Sequence, residues 1–249
     1  MSVSSLPFNR NRLLAALAPE DLALLAPLLK ERPLEQQAIL QEAEAPVEEV
    51  YFPLSGMISL VVSMEAGETV ETAAVGRNGV IGAFAGLGPW NAFTRAVVQV
   101  PGTAACISAS QFQAVVGQSP KIKELVLRYK EALLSQVHQT AACNALHSVE
   151  ARLARWLLHA LDTFDLDSSD SALLPLTQEA LGQMLAVRRT TVTLVARKFQ
   201  QAGLIRYRRG HIQILDRNGL EDAACECYET IRRRSNAVVG GEHVRRAVS

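Results

Sequence analysis

No run of the chain approaches the roughly 20 consecutive apolar residues that a membrane-spanning helix needs. The first residues, MSVSSLPFNRNRLL, lack the charged start and long apolar stretch of a secretory signal. Cysteine is scarce. Cys106, Cys143, Cys225 and Cys227 are too few and too scattered for a disulfide framework, so a soluble cytoplasmic protein with no membrane partner is expected. No nucleophile elbow, P-loop or metal-ligand pair is visible, which speaks against an enzyme. His138, His147, His159, His211 and His243 form no metal-ligand spacing. Cys225 and Cys227, read as two apart on one helix, point in different directions and are expected to pack rather than ligate. Gly79, Gly82, Gly86 and Gly88 match neither a Walker nor a dinucleotide pattern and read as turn residues. No cofactor or metal is therefore expected.

Net charge is also lacking, with 25 Lys+Arg against 25 Asp+Glu, but the charge is unevenly spread. Within residues 176–217 the bases are Arg188, Arg189, Arg197, Lys198, Arg206, Arg208, Arg209 and Arg217, against Glu179 and Asp216 alone. Such a local basic patch is the footprint that phosphate binding needs. The 249 residues are 49% apolar and 20% charged, enough for two modest domains with real cores.

Leu13, Leu14, Leu17, Leu24, Leu25 and Leu28 have near-helical spacing, and Pro19-Glu20-Asp21 reads as an acidic first turn. Short β-branched and aromatic runs follow at 50–52, 57–62, 70–75 and 95–100, divided by turn signals, and predict an antiparallel barrel or roll. Beyond Pro120, the residues Ile122, Val126, Tyr129, Leu133, Val137 and Thr140 step by 4, 3, 4, 4 and 3 along one helical stripe. About 24 such residues span roughly 36 Å, more than a small roll covers, so the stripe predicts a two-fold partner helix. Ser148 caps the next helix. Residues 162–171 are acidic, serine-rich and without pattern, and a last helix is expected over 217–234. The fold class is α+β: an N-terminal β-roll with leading helices over 1–118, a dimerisation helix and hinge over 119–147, a helix-turn-helix domain over 148–234, and a disordered tail over 235–249.

The segment from Leu176 carries the functional signal. Thr177 caps a short helix that buries Ala180, Leu181, Met184 and Leu185. Ala186-Val187-Arg188 is a tight connection. A second helix places Val192, Val195, Ala196 and Phe199 on one face, leaving Arg189, Thr190, Thr193, Arg197 and Lys198 turned away. This is helix-turn-helix geometry, in which the second helix enters the major groove of double-stranded DNA. Thr177, Gln178, Arg188 and Thr191 flank the same surface. The alternating run around Arg209-Gly210 predicts a β-hairpin wing, with Arg206, Arg208 and Arg209 available to phosphates. The alternative is a ligand-binding or protein-interaction module whose winged helix does not bind DNA.

The run LTQEALGQMLAVRRTTVTLVARKFQQAGLIRYRRGHIQIL resembles the DNA-binding domain of the bacterial Crp/Fnr regulators, the cyclic-AMP receptor protein superfamily. The resemblance covers nearly the whole chain and is most specific in the last third. It implies a cyclic-nucleotide-binding-like jelly roll and a homodimer that reads a near-palindromic operator. An effector in the roll would reposition the DNA heads, and RNA polymerase would be a partner if the protein activates. Arg189 falls where the family's base-reading arginine lies, and Thr190 falls where many members carry an acidic residue.

The effector site departs from the family pattern. Cyclic-nucleotide-binding members use a glycine-glutamate pair for the ribose and an Arg-Ser/Thr-Ala run for the cyclic phosphate. Here Gly82-Ala83 and Thr94-Arg95-Ala96 stand in those places. Ala83 offers the ribose hydroxyl no acceptor, and a one-residue slip sends Arg95 to the opposite face of its strand. Cyclic AMP is therefore not expected as the effector. The family's iron–sulfur sensors need N-terminal cysteines, and the first cysteine here is Cys106, so no such cluster is expected. Nothing argues for a haem.

Overall fold

The computed structural model describes residues 7–88, 90–162 and 173–240. All but the first residue of the acidic 162–171 stretch, and residues 241–249 of the expected tail, lie outside them.

Two short helices, α1 (Arg12–Ala15) and α2 (Pro19–Leu25), lead in. Asn11 is wholly buried and fixes this entry. Its carbonyl oxygen accepts from the Leu13 and Leu14 amides, and its own amide donates to Pro53 O (3.0 Å) and Gly79 O (2.9 Å). All of its bonding capacity is used, which is what makes a buried amide tolerable.

The roll is two antiparallel sheets. One has the order β1-β7-β3, from Lys30–Leu34, Gly102–Ser108 and Glu49–Pro53. The other has the order β2-β6-β4-β5, from Ile39–Gln41, Arg95–Val100, Met57–Ser63 and Thr69–Val75. Ile58, Leu60, Ala73, Val75, Ala96 and Val98 of the second sheet meet Leu34, Tyr51, Ala104 and Cys106 of the first. Strands β3 to β6 coincide with the four apolar runs. The outward residues Met57, Ala74 and Val100 are buried too, because they join the core of the C-terminal domain. Ser108 caps α3 (Ala109–Gln118), and Ser119 caps α4 (Pro120–Leu146), a helix of 27 residues.

The expected dimer stripe is corrected by the packing of α4. Ile122, Val126 and Tyr129 are buried in the protein's own core with Leu13, Leu25, Phe52 and Phe112. Leu133 and Val137 are half-buried against the roll. The roll, its leading helices and α3 together cover more of the helix than the roll alone. The face left to solvent holds Leu127, Leu134 and Ala141, seven residues apart.

After His147 and Ser148 comes α5 (Val149–Leu161), whose residues from Arg152 to Leu158 are all buried because the domain packs around it. Then follow β8 (Leu173–Leu174), α6 (Gln178–Leu185), α7 (Arg189–Gln201) and the hairpin β9 (Ile205–Arg208) and β10 (His211–Ile214). The sheet order is β8-β10-β9. The hairpin turn sets Arg209 and Gly210 at φ 50° and 78°, the left-handed pair that lets a two-residue loop match strand twist. The final helix is two: α8 (Arg217–Ala223) and α9 (Cys227–Val239). The last helix thus runs past residue 234 into the stretch expected to be tail. The break at Ala224, Cys225 and Glu226 also overturns the picture of two cysteines diverging on one helix.

Candidate nucleic-acid interface

Helices α6 and α7 are set by their ends. Thr177 accepts from the Ala180 amide (3.1 Å) and starts α6. Ala186 ends it in the left-handed region at φ 51°. Gly182 is required beneath the turn, since a Cβ there would meet Val187 O at 2.9 Å. Val192, Val195, Ala196 and Phe199 then bury one face of α7 against Leu181, Met184 and Leu185.

The opposite face is open. Arg188, Arg189, Thr190 and Arg197 are exposed, as are Thr177 on α6 and Arg208 on the wing. A gap lies beside the start of α7, with Arg188, Arg189 and Val187 on one side and the β4–β5 hairpin, at Met64, Gly67 and Val70, on the other.

Three expected DNA contacts have other occupations. The Thr193 hydroxyl lies 2.7 Å from Gln178 Oε1 and 3.0 Å from Arg189 O, so Thr193 and Gln178 tie α6 to α7. Lys198 pairs with Glu150 at 2.7 Å, which also holds the Glu150 carboxyl below its usual range. Thr191 is half-buried. Leu194 was missed. It is 60% exposed, one turn beyond Thr190 and three residues before Arg197. A leucine on a solvated basic face is suited to a thymine methyl, and the signal was available as an apolar residue off the buried stripe.

The residues expected at an effector site fall into two groups. Gly82 has φ 77° and opens a 3-10 turn over Ala83–Leu87, and an added Cβ would meet Glu49 O at 2.7 Å. Ala83 is buried. Thr94 lies just before β6 and Arg95 begins it; Ala96 and Val98 fill the roll interior and Arg95 lies on the other face. Arg95 Nε donates to Glu42 at 2.8 Å.

The head docks onto the outer face of β5 through polar groups. Trp156 Nε1 donates to Glu71 Oε1 at 3.0 Å, and the Ser59 hydroxyl donates to the other oxygen. Burial raises the Glu71 carboxyl to about 6, against the opposing pull of these two donors and of Arg155. His159 meets Ala74 O at 3.3 Å, and burial holds its imidazole below the usual range. Arg152 donates to Asn144 and to Leu185 O, both at 3.1 Å, linking the end of α4 to the end of α6.

Comparison with known proteins agrees with this architecture at both ends of the chain. The family model of the cyclic nucleotide-binding domain matches residues 31–119, and that of the Crp-like helix-turn-helix domain matches residues 151–223. The chain belongs to the Crp/Fnr superfamily of transcription regulators. The global nitrogen regulator of a Nostoc species is 25% identical over 173 residues, covering 68% of this chain and 78% of that protein. Among solved structures, FixK2 of Bradyrhizobium japonicum matches with TM-score 0.64 at 15% identity, over 79% of this chain and 98% of its own. The regulator CLP of Xanthomonas campestris, described as responsive to c-di-GMP, matches with TM-score 0.61 at 15% identity, over 80% and 100%. As a Crp/Fnr regulator the protein is a DNA-binding transcription regulator, from a family of regulators rather than enzymes. Among the described residues no helix is long and apolar enough to cross a membrane.

Among the described residues, one group of side chains could hold a metal ion: Cys143, His147, Cys225 and Cys227. The absence of local metal-ligand spacing concealed it, because the two halves are about 80 residues apart.

Proposed function

We propose that the protein is a homodimer that reads a near-palindromic DNA operator through α7. The observation that carries this is the placement of Arg189. It opens α7 on the side opposite Val192, Val195 and Phe199, exposed, with Thr190, Leu194 and Arg197 on the same surface. An arginine so placed reaches base edges and grips guanine O6 and N7 in two-pronged fashion. Arg208 on the wing serves phosphate. A titration of labelled DNA at several salt concentrations tests this reading. A DNA reader shows a steep salt slope and preference for one sequence, and an interaction module that does not bind DNA shows neither.

The dimer face is the solvated side of α4, where Leu127 and Leu134 are 44% and 45% exposed and Ala141 continues the seven-residue spacing. Such spacing suits a two-stranded helical seam. Leu134→Glu should give a folded monomer by sedimentation, and an unchanged dimer would remove this face from the interface.

The effector is a roll-binding ligand other than ordinary cyclic AMP, since Ala83 offers no acceptor and Arg95 is turned toward Glu42. The gap between the β4–β5 hairpin and Arg189 gives such a ligand a short route to the reading head. Calorimetry with cyclic AMP on nucleotide-free protein tests this. Micromolar binding that vanishes in Arg95→Ala would reverse it. If the protein activates, RNA polymerase is a further partner.

A further inference from the structure

Where the long helix ends, the chain brings together three thiols and an imidazole that no feature of the DNA-reading surface requires. Cys143 is in the last turn of α4, His147 is its C-cap, Cys225 sits in the break before α9, and Cys227 is the first residue of α9. Their ligand atoms all lie within 4.8 Å of one another. Cys143 Sγ is 3.5 Å from Cys225 Sγ, and Cys227 Sγ is 3.5 Å from His147 Nδ1. A tetrahedron of zinc–sulfur bonds near 2.3 Å has edges of roughly 3.8 Å. The group is therefore sized for a single ion, whereas an iron–sulfur cage spreads its ligands around several metal atoms. All four donors are sulfur or imidazole nitrogen, which excludes calcium and magnesium by softness.

The surroundings complete the argument. The three cysteines are buried as a small cluster of their own, with Ala151 the one partly buried apolar side chain packed against it among the described residues, so they add little to either main core. Each polar neighbour faces the group as an outer shell should. His147 Nε2 meets Glu226 Oε1 at 3.2 Å, the carboxylate–imidazole arrangement that turns the other ring nitrogen toward a metal. Gln139 Nε2 donates to Cys227 Sγ at 3.1 Å, a bond suited to a thiolate. Arg152 and Arg155 are both buried on the adjoining face of α5, and the Nε of each has no partner among the described residues. Two buried guanidinium groups call for nearby negative charge. Three thiolates around a divalent cation carry one net negative charge and supply it.

The geometry points to a structural Cys3His site for a zinc-class divalent cation, formed by Cys143, His147, Cys225 and Cys227. Binding is proton exchange without redox change: three thiols and a neutral imidazole take one Zn2+ and release three protons. The ion joins the end of α4 to the start of α9 across the His147–Ser148 hinge, and so holds the DNA head at a fixed setting on the long helix. This proposal stands independently of how the protein reads DNA.

The test uses the full chain purified without a histidine tag or chelator. Elemental analysis should find one zinc per chain that survives gel filtration. Exchange with cobalt should give thiolate-to-cobalt charge-transfer absorption and the visible bands of a tetrahedral site. Cys227→Ala should fall from about one ion per chain to none. His147→Cys, which keeps four soft ligands, should retain the ion and show that the loss is not mere misfolding. Cys106→Ala, outside the site, should be unchanged. A folded protein that is metal-free, titrates four free thiols and takes up no cobalt would overturn the proposal. So would metal-free protein with a Cys143–Cys225 disulfide, seen as a loss of two hydrogens by mass, or a Cys227→Ala variant that keeps its zinc.

Discussion

The DNA head presents two polar faces that differ in how their charge is satisfied. On the reading face, Arg188, Arg189 and Arg197 stand in solvent with Thr190 and Leu194 beside them. On the docking face, Trp156 and His159 are spent on Glu71 and Ala74 O inside the protein. The first is a surface kept for a partner, since exposed charge gains little until phosphates replace water. The second is a joint of hydrogen bonds set in an apolar frame. Such bonds are worth little net while made and are costly when left unmade in a dry place. A head attached this way is positioned sharply, yet a change of one proton or one donor can alter its balance.

Four changes would break or sharpen that contrast. Arg189→Ala should have the largest effect, about 1–3 kcal/mol per half-site, with relaxed preference at one base pair. Equal weakening on every single-base variant of the operator would instead make Arg189 a phosphate contact.

Next comes the joint. The docked Glu71 carboxyl titrates near 6 rather than 4.5, so the docked state keeps its proton over that interval while the solvated state loses it. Docking is therefore favoured as pH falls from above 6 to 4.5, and its full penalty is felt above 6. The difference is worth about 2 kcal/mol. Glu71→Gln mimics the protonated acid and should stabilise the docked state by about that amount at pH 7. It should also abolish the acid-side gain, read by thermal unfolding at pH 5 and pH 7. A variant that keeps the pH dependence would place its origin elsewhere.

Arg208→Ala should weaken all sequences alike and lower the salt slope by about one unit; a changed base preference would show that the wing reads bases. Lys198→Ala should cost least, under about 1 kcal/mol, because that ammonium is already paired with Glu150. A large loss of DNA affinity would show that the pair opens on binding.

The reading face was legible in the sequence because its signals are local. The caps Ser148 and Thr177, the apolar spacing of α7 and the turn at Arg209-Gly210 each sit within a few residues of what they specify. The joint was not, because Glu71 and Ala74 of β5 meet Trp156 and His159 of α5 only through tertiary packing. Strand β1 escaped notice because Lys30, Glu31, Arg32 and Pro33 are all exposed and show no alternation. Strand β7, Gly102–Ser108, follows directly on β6 and carries small residues where bulk would have marked it. On α4 the spacing identified an apolar stripe correctly but could not say which neighbour it meets.

The antiparallel course of α9 along α4 has a consequence for the head's freedom. Arg128 donates to Ala237 O, Arg234 reaches Ser135, and Gln139 reaches Cys227, so the helices are fastened at several levels. Packed helices resist smooth sliding, because the ridges of one sit in the grooves of the other. A head fastened this way has detents: the next comfortable seat lies one helical turn away, about 5.4 Å along the axis. Any slide of α9 along α4 would therefore come in steps of about one helical turn rather than continuously.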